Sequence, residues 1–190
     1  MEPESFVRIA WHHAPEHRFI PGADYFVTAS TLDRRHFFFD SLRLRLLQDT
    51  FLEIASRASW HPLAWVFFSE HYHWIARSPV EEGLDLSNFL QRFHAEAARR
   101  LNRLDRTPGR RVFFQYWDRC LTYESSYYAQ INYIHQNPVR HGLVSTPKDH
   151  PFSSARLYEL NLPSPLRRRL ASYGVEKVRE PDGFNPVWRP

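Results

Sequence analysis

Apolar residues follow two rhythms along this chain, and the order in which the rhythms alternate predicts a fold. "DYFVTASTL" (Asp24 to Leu32) alternates and is rich in β-branched and aromatic residues, the pattern of a strand. "DSLRLRLLQDTFLEIASRA" (Asp40 to Ala58) opens on an Asp-Ser capping pair and repeats apolar residues at helical spacing through Leu44, Leu47, Phe51 and Ile54. "HPLAWVFFS" and "HYHWIAR" then read as two strands joined by a tight connection at Ser69 and Glu70. A second helix is expected over Asp85 to Leu104, with Leu86, Phe89, Leu90, Phe93, Ala97 and Leu101 on one face. "RTPGRR" breaks it, and "VFFQYWD" (Val112 to Asp118) follows as a fourth strand.

The order strand, helix, strand, strand, helix, strand is the split βαβ, ferredoxin-like arrangement. It predicts an α+β fold: an antiparallel sheet with both helices on one face and the other face open to a ligand. A third helix, Tyr123 to Asn137, should end near Pro138, because proline disfavours the helical conformation in the residue before it. This places a core domain over residues 1–146. Residues 147–190, rich in proline and serine at first and carrying "PLRRRLASYG", read as a tail of short elements.

Length and charge narrow the function classes. At 190 residues the chain can bury an adequate core as one domain. The one cysteine, Cys120, rules out an internal disulfide and reads as a buried small side chain. The opening "MEPESFVRIAWHH" lacks the apolar region of a signal peptide, so an intracellular protein is expected. Apolar runs such as "PLAWVFF" fall far short of the roughly 20 residues of a membrane helix. The formal charge is +4, and 23 of the 25 basic residues are arginine, whose planar fork grips phosphate and guanine edges bidentately. Arginine preference in a GC-rich genome gives the same excess. With aromatic residues at 16%, nucleic acid is the first partner to test.

The candidate chemistry begins at "SEHYHWIA". On a strand, residues i and i+2 share a face, so His71 and His73 project together while Tyr72 and Trp74 project the other way. Two neutral imidazoles so placed can converge on a divalent cation, or can be two satisfied polar residues on a half-exposed strand. Two histidines also under-coordinate a cation. "NYIHQNPVR" offers what is missing if its helix docks across the sheet: at about 100° per residue, Tyr133 and Asn137 lie about 40° apart, one turn displaced. His135 lies about 200° from Tyr133 and should point elsewhere. Gln136 competes with Asn137 as the amide ligand. Against this stands the ordinary reading of a core tyrosine followed by an Asn-Pro helix stop.

"HYHWI", then "YIHQNPVRHGLV" about sixty residues later, then "HPFSSARLY", together resemble the REP-associated tyrosine transposases, a branch of the HUH single-strand endonucleases. The resemblance runs from about Arg8 to Tyr158. It implies that His71 and His73 bind Mg²⁺ or Mn²⁺, that Asn137 is the third ligand, and that Tyr133 is the nucleophile, forming a 5′-phosphotyrosine intermediate. It further implies site-specific cleavage and rejoining of single-stranded DNA at palindromic, REP-type hairpins, in the bacterial cytoplasm. A monomer is expected, with a helix-swapped homodimer as the alternative. The family usually has proline and then asparagine or aspartate before the first histidine, where this chain has Ser69 and Glu70.

The densest basic run, Arg92, Arg99, Arg100, Arg103, Arg106, Arg110 and Arg111, could track a hairpin backbone or be a solvated helix face. Arg140 stands in the matching family block and is assigned a phosphate contact, with a helix-capping cation as the alternative. Arg167 to Arg169 could add a contact from the tail. Phe114 and Trp117 are expected to pack in the core. The competing function is a catalytically silent hairpin-binding module, since open four-stranded sheets with aromatics also stack bases. A metal nuclease using water would leave the phenol of Tyr133 without a task.

Overall fold

Two capped amphipathic helices and a four-stranded sheet form the frame that carries the candidate site. The computed structural model of the chain describes residues 19–81, 83–175, 178 and 183–190. The expectations that fall on residues 1–18, the first stretch of the family resemblance included, lie outside the described residues. The elements run β1 (Asp24–Thr31), α1 (Ser41–Arg57), β2 (His61–Phe67), β3 (His71–Arg77), α2 (Leu86–Leu104), β4 (Phe113–Leu121), α3 (Glu124–Arg140), α4 (Ala155–Asn161) and α5 (Ser164–Ala171). The sheet is antiparallel in the order β2-β3-β1-β4, as a ferredoxin-like fold requires.

Each helix starts where its cap dictates. Asp40 accepts from the Arg43 N–H at 2.9 Å and Asp85 from the Asn88 N–H at 2.8 Å, so each carboxylate satisfies a backbone donor of the first turn. The apolar stripes of α1 and α2 then meet one face of the sheet, formed by Tyr25, Val27 and Ala29 of β1 and Tyr72, Trp74 and Ala76 of β3. Phe51 sits at the centre of this layer with Phe67, Trp74, Phe89 and Phe93 around it, ring centroids 5.5 to 6.2 Å apart. Burying rings of this size stabilises the fold by about 1.5 to 3 kcal/mol each. At the end of the β1–β3 pair, Arg77 holds Asp24 through two hydrogen bonds, 2.8 and 3.0 Å.

The second face differs from the open platform expected of it. Helix α3 lies across its β2–β3 half and forms a second core with Phe26, Ala64, Val66, Phe68 and Ile75, contributing Ile131, Tyr133 and Ile134. It also runs past Pro138 to Arg140. Proline at that position removes a hydrogen bond to the carbonyl of Ile134, but less than one further turn has to form. Burial of Asn137 and Pro138 holds that turn in place, and the backbone N–H groups of His141, Gly142 and Leu143 bond to the carbonyls of Asn137, Val139 and Pro138. Tertiary packing thus outweighs the local preference of a residue before proline.

Two further expectations are corrected. Strand β4 extends to Leu121, and Phe114 and Trp117 are not core residues: 48% and 44% of their surfaces are exposed. Strand β4 is a sheet edge, and α3 does not reach far enough to cover them. The chain after residue 146 packs closely: Phe152 joins the first core, its carbonyl accepts from the Phe67 N–H, and Val66 bridges to Ser153.

Burial also sets an acid sensitivity. His94 stacks on Phe113 with centroids 4.1 Å apart and its Nε2 lies 2.6 Å from the Tyr72 hydroxyl; desolvation pulls its pKa down to about 3. The unfolded chain takes up a proton near pH 6.5, while the native chain resists until far lower. The stability from this group is therefore complete above pH 6.5 and declines as pH falls toward 3, by about 1.4 kcal/mol per pH unit. His135, likewise lowered to about 3 by burial, adds to the slope. Thermal unfolding should show the melting temperature dropping between pH 6.5 and 4.5, less steeply for His94→Gln. Equal slopes in the two proteins would refute the assignment.

Candidate active site

The period of β3 delivers the histidine pair to the α3 side of the sheet. His71 and His73 are both buried, with ring centroids 5.1 Å apart, and Tyr72 and Trp74 belong to the opposite core, as alternation requires. Thr28 is the cross-strand partner of His73, and its Oγ1 lies 2.8 Å from His73 Nδ1, which fixes the imidazole plane. The ring of Phe26 stacks on His73 at 5.9 Å.

Helix α3 brings the other two candidates to the same place. The Tyr133 ring stands edge-on to His73 with centroids 5.3 Å apart and edge-on to Phe26 at 6.3 Å. Asn137, one turn on, is wholly buried, and neither of its amide atoms has a hydrogen-bond partner among the described residues. His71 repeats this condition: both ring nitrogens lack a hydrogen-bond partner among the described residues. Its ring is sandwiched between Phe68, at 4.5 Å, and Phe184, at 4.1 Å and nearly parallel. Burial first, then the neighbouring His73, His141 and Arg34, holds His71 well below the ordinary histidine pKa, so the imidazole is neutral and competent as a ligand.

Buried polar atoms without partners cost free energy, so His71 and Asn137 each keep atoms that a ligand could satisfy. Two imidazoles and an amide oxygen fit a divalent cation with remaining positions left for phosphate oxygens or water. Among the described residues there is no group of three or more histidine, cysteine, aspartate or glutamate side chains that could hold a metal. Gln136, the competitor of Asn137, faces a different cavity, lined by Asn132, His135 and Tyr158. His135 points away as expected, bonding Ser154 Oγ at 2.9 Å.

Of the arginines, Arg140 is beside the site, its guanidinium 5.3 Å from the centre of the Tyr133 ring. Arg99, Arg100 and Arg103 ride on α2, across the sheet from the histidines. Arg99 and Arg100 are tied to Glu96, and Arg100 also to Glu53 at 2.7 Å. Arg110 binds Asp105 and Asn102 and lies over Phe37, and Arg111 donates to the Phe113 carbonyl. Arg169 pairs with Glu124.

Sequence reasoning missed His141, 5.5 Å from His71 between ring centres, although its position four residues after Asn137 gives it the same helical direction. It also missed the segment 183–190, for which no motif stands in the sequence. That segment crosses the site on hydrogen bonds from the two residues that depart from the family pattern. Glu70 Oε1 accepts from the Asn185 N–H at 2.6 Å, and Ser69 Oγ accepts from the Val187 N–H at 2.9 Å. Arg34 donates to the Gly183 carbonyl at 2.5 Å and lies over Phe184.

No protein-family model matches the chain. The REP-associated tyrosine transposase of Escherichia coli (strain K12) is 27% identical over 138 residues, which span 72% of this chain and 78% of the relative. A solved structure, a REP-associated tyrosine transposase bound to a REP hairpin, superposes with a TM-score of 0.65, covering 78% of this chain and 86% of that one at 21% identity; likeness at that identity speaks for the fold. The chain is similar to the REP-associated tyrosine transposases. The sequence similarity and the shared fold are with proteins of the same description. Among the described residues no helix is long and apolar enough to cross a membrane.

Phe184→Ala should uncover one face of His71. Diethyl pyrocarbonate should then modify His71 several-fold faster, by peptide mass mapping, with buried His135 as the internal reference, and stability should fall by about 3 kcal/mol. An unchanged modification rate would contradict the stacked arrangement.

Proposed function

We propose that this protein is a metal-dependent, site-specific single-stranded DNA transposase that nicks and rejoins DNA at palindromic hairpins, with Tyr133 as nucleophile. The observation that carries the proposal is the Tyr133 ring set edge-on to His73, with the buried, unsatisfied amide of Asn137 one helical turn on. The kinship with a hairpin-binding transposase supplies the substrate class.

In this reading His71, His73 and Asn137 would hold Mg²⁺ or Mn²⁺. Since Thr28 engages Nδ1 of His73, Nε2 is the ring nitrogen that would be left for the cation. When bound, the cation would polarise a non-bridging oxygen of the scissile phosphate. Tyr133 gives its phenolic proton to solvent water, its oxygen attacks phosphorus, and the P–O3′ bond breaks; the departing 3′-oxygen takes a proton back from water. The product is a 5′-phosphotyrosyl bond and a free 3′-hydroxyl. Because that bond is still a phosphodiester, a second 3′-hydroxyl can displace Tyr133 and reseal the strand without ATP. Arg140, over the tyrosine ring, is placed to pair with the phosphate that Tyr133 attacks. Aromatic contacts with His73 and Phe26 hold the ring in place, so attack needs little reorganisation.

The expected product is a covalent protein–DNA adduct on a denaturing gel after incubation with Mg²⁺ and hairpin oligonucleotides. Tyr133→Phe should abolish the adduct and leave hairpin affinity within about twofold, since it deletes one hydroxyl. His73→Ala should make any residual cleavage insensitive to the metal. Hairpin binding without cleavage or adduct across a genomic set of palindromes would instead favour the silent binding module.

A further inference from the structure

A second aromatic feature lies on the same sheet face as the histidine pair and is not used by the chemistry above. Along one row of the sheet, Val66 pairs with His73, His73 with Thr28, and Thr28 with Trp117. Trp117 is thus two strand spacings, roughly 10 Å, from His73. In the next part of the sheet the register slips: Ala29 pairs with Tyr116 but Thr31 pairs with Phe113, so Ser30 is opposed by both Phe114 and Gln115. This bulge turns Phe114 out of the alternation that would have buried it and aims it to the side of Trp117.

The two rings border a cavity of about 300 Å³, completed by Ser30, Asp33, Arg34 and Phe184. Its walls adjoin the candidate site directly, because Ser30 is the cross-strand partner of His71 and Phe184 stacks on His71. Its rim is held in an uncommon conformation: Asp33 and Arg34 have φ of 54° and 51°, a left-handed geometry that side chains seldom adopt and that tends to persist where it serves a site. Large exposed aromatics on an edge strand are a liability for solubility unless a ligand covers them. Arg34 at the rim and Arg140 over Tyr133 suit a polyanion, and stacking platforms between cations are how single strands are held.

We infer that the Phe114–Trp117 cavity is a stacking slot for one unpaired nucleobase of the single-stranded segment next to the hairpin, seated beside the scissile phosphate. The inference rests on the single-stranded DNA reading above. A base captured there fixes the strand at one point within a nucleotide or two of the histidine pair, which places the scissile phosphate while the hairpin is held elsewhere. Phe184 is already stacked on His71 and has Arg34 over its ring, so it serves as the end wall while Trp117 and Phe114 supply the stacking surfaces.

The test uses the full chain and a panel of palindromic hairpin oligonucleotides, each with a single-stranded extension of several nucleotides. Each extension position is replaced in turn by an abasic residue, which keeps the phosphate and deletes the base. At one position the abasic substitution should weaken binding by about tenfold for the wild-type protein. Trp117→Ala should bring the intact oligonucleotide to that same weakened affinity and be indifferent to the abasic change there. Its affinity for the hairpin without extension should match the wild type. Phe114→Ala provides an independent second variant with the same expected pattern.

Abasic substitutions that are neutral throughout would overturn the inference, as would a Trp117→Ala protein that loses affinity equally with and without the extension. Adduct formation that persists beside such a result would leave the proposed transposase intact and remove the slot alone. A wild-type protein that binds none of the hairpins would overturn both.

Discussion

The carboxylate of Glu70, almost wholly buried in the turn between β2 and β3, needs donors, and the way it finds them organises the site end of the molecule. One oxygen takes the Asn185 N–H, and the other lies 3.9 Å from His36. The neighbouring Ser69 hydroxyl bonds both His36 and the Val187 N–H. The turn backbone holds the loop after β1 as well, since the Ser69 and Glu70 carbonyls accept from Phe38 and Thr31. Two segments remote in sequence, the loop after β1 and residues 185–187, therefore meet on Ser69 and Glu70, and the first histidine of the pair follows directly.

The sheet separates stability from chemistry by parity. Residues of one parity on β1 and β3 enter the aromatic core under α1 and α2; those of the other parity meet α3 and supply Phe26, Thr28, His71 and His73. Because the helical face holds most of the large rings, the opposite face can keep buried polar atoms without partners and the fold still has a core to stand on.

The frame was legible because its signals are local and repeated. The alternation in "DYFVTASTL" and the stripes of α1 and α2 each recur several times within one element, and Asp40 and Asp85 mark starts that their side chains then make. The pairing of Tyr133 with Asn137 was legible for the same reason, as one turn of helix. What failed to show depends on contacts distant in sequence. Pro138 reads as a stop until Asn137 is seen buried; Phe114 and Trp117 read as core until β4 is placed at an edge with a bulge at Ser30. The segment 183–190 carries no periodicity, and its position comes from Ser69 and Glu70, which in sequence stand out only as a departure from a motif.

Placing Tyr133 and Asn137 on one helix has a mechanical consequence. Their separation is set by the helical repeat and stays constant whatever α3 does, whereas their distances to His71 and His73 depend on how α3 lies on β2 and β3. A small rigid shift of α3 would carry Tyr133 and Asn137 away from the imidazoles together. The centre is thus assembled or dismantled as a unit, with the docking angle of a single helix as its one coordinate.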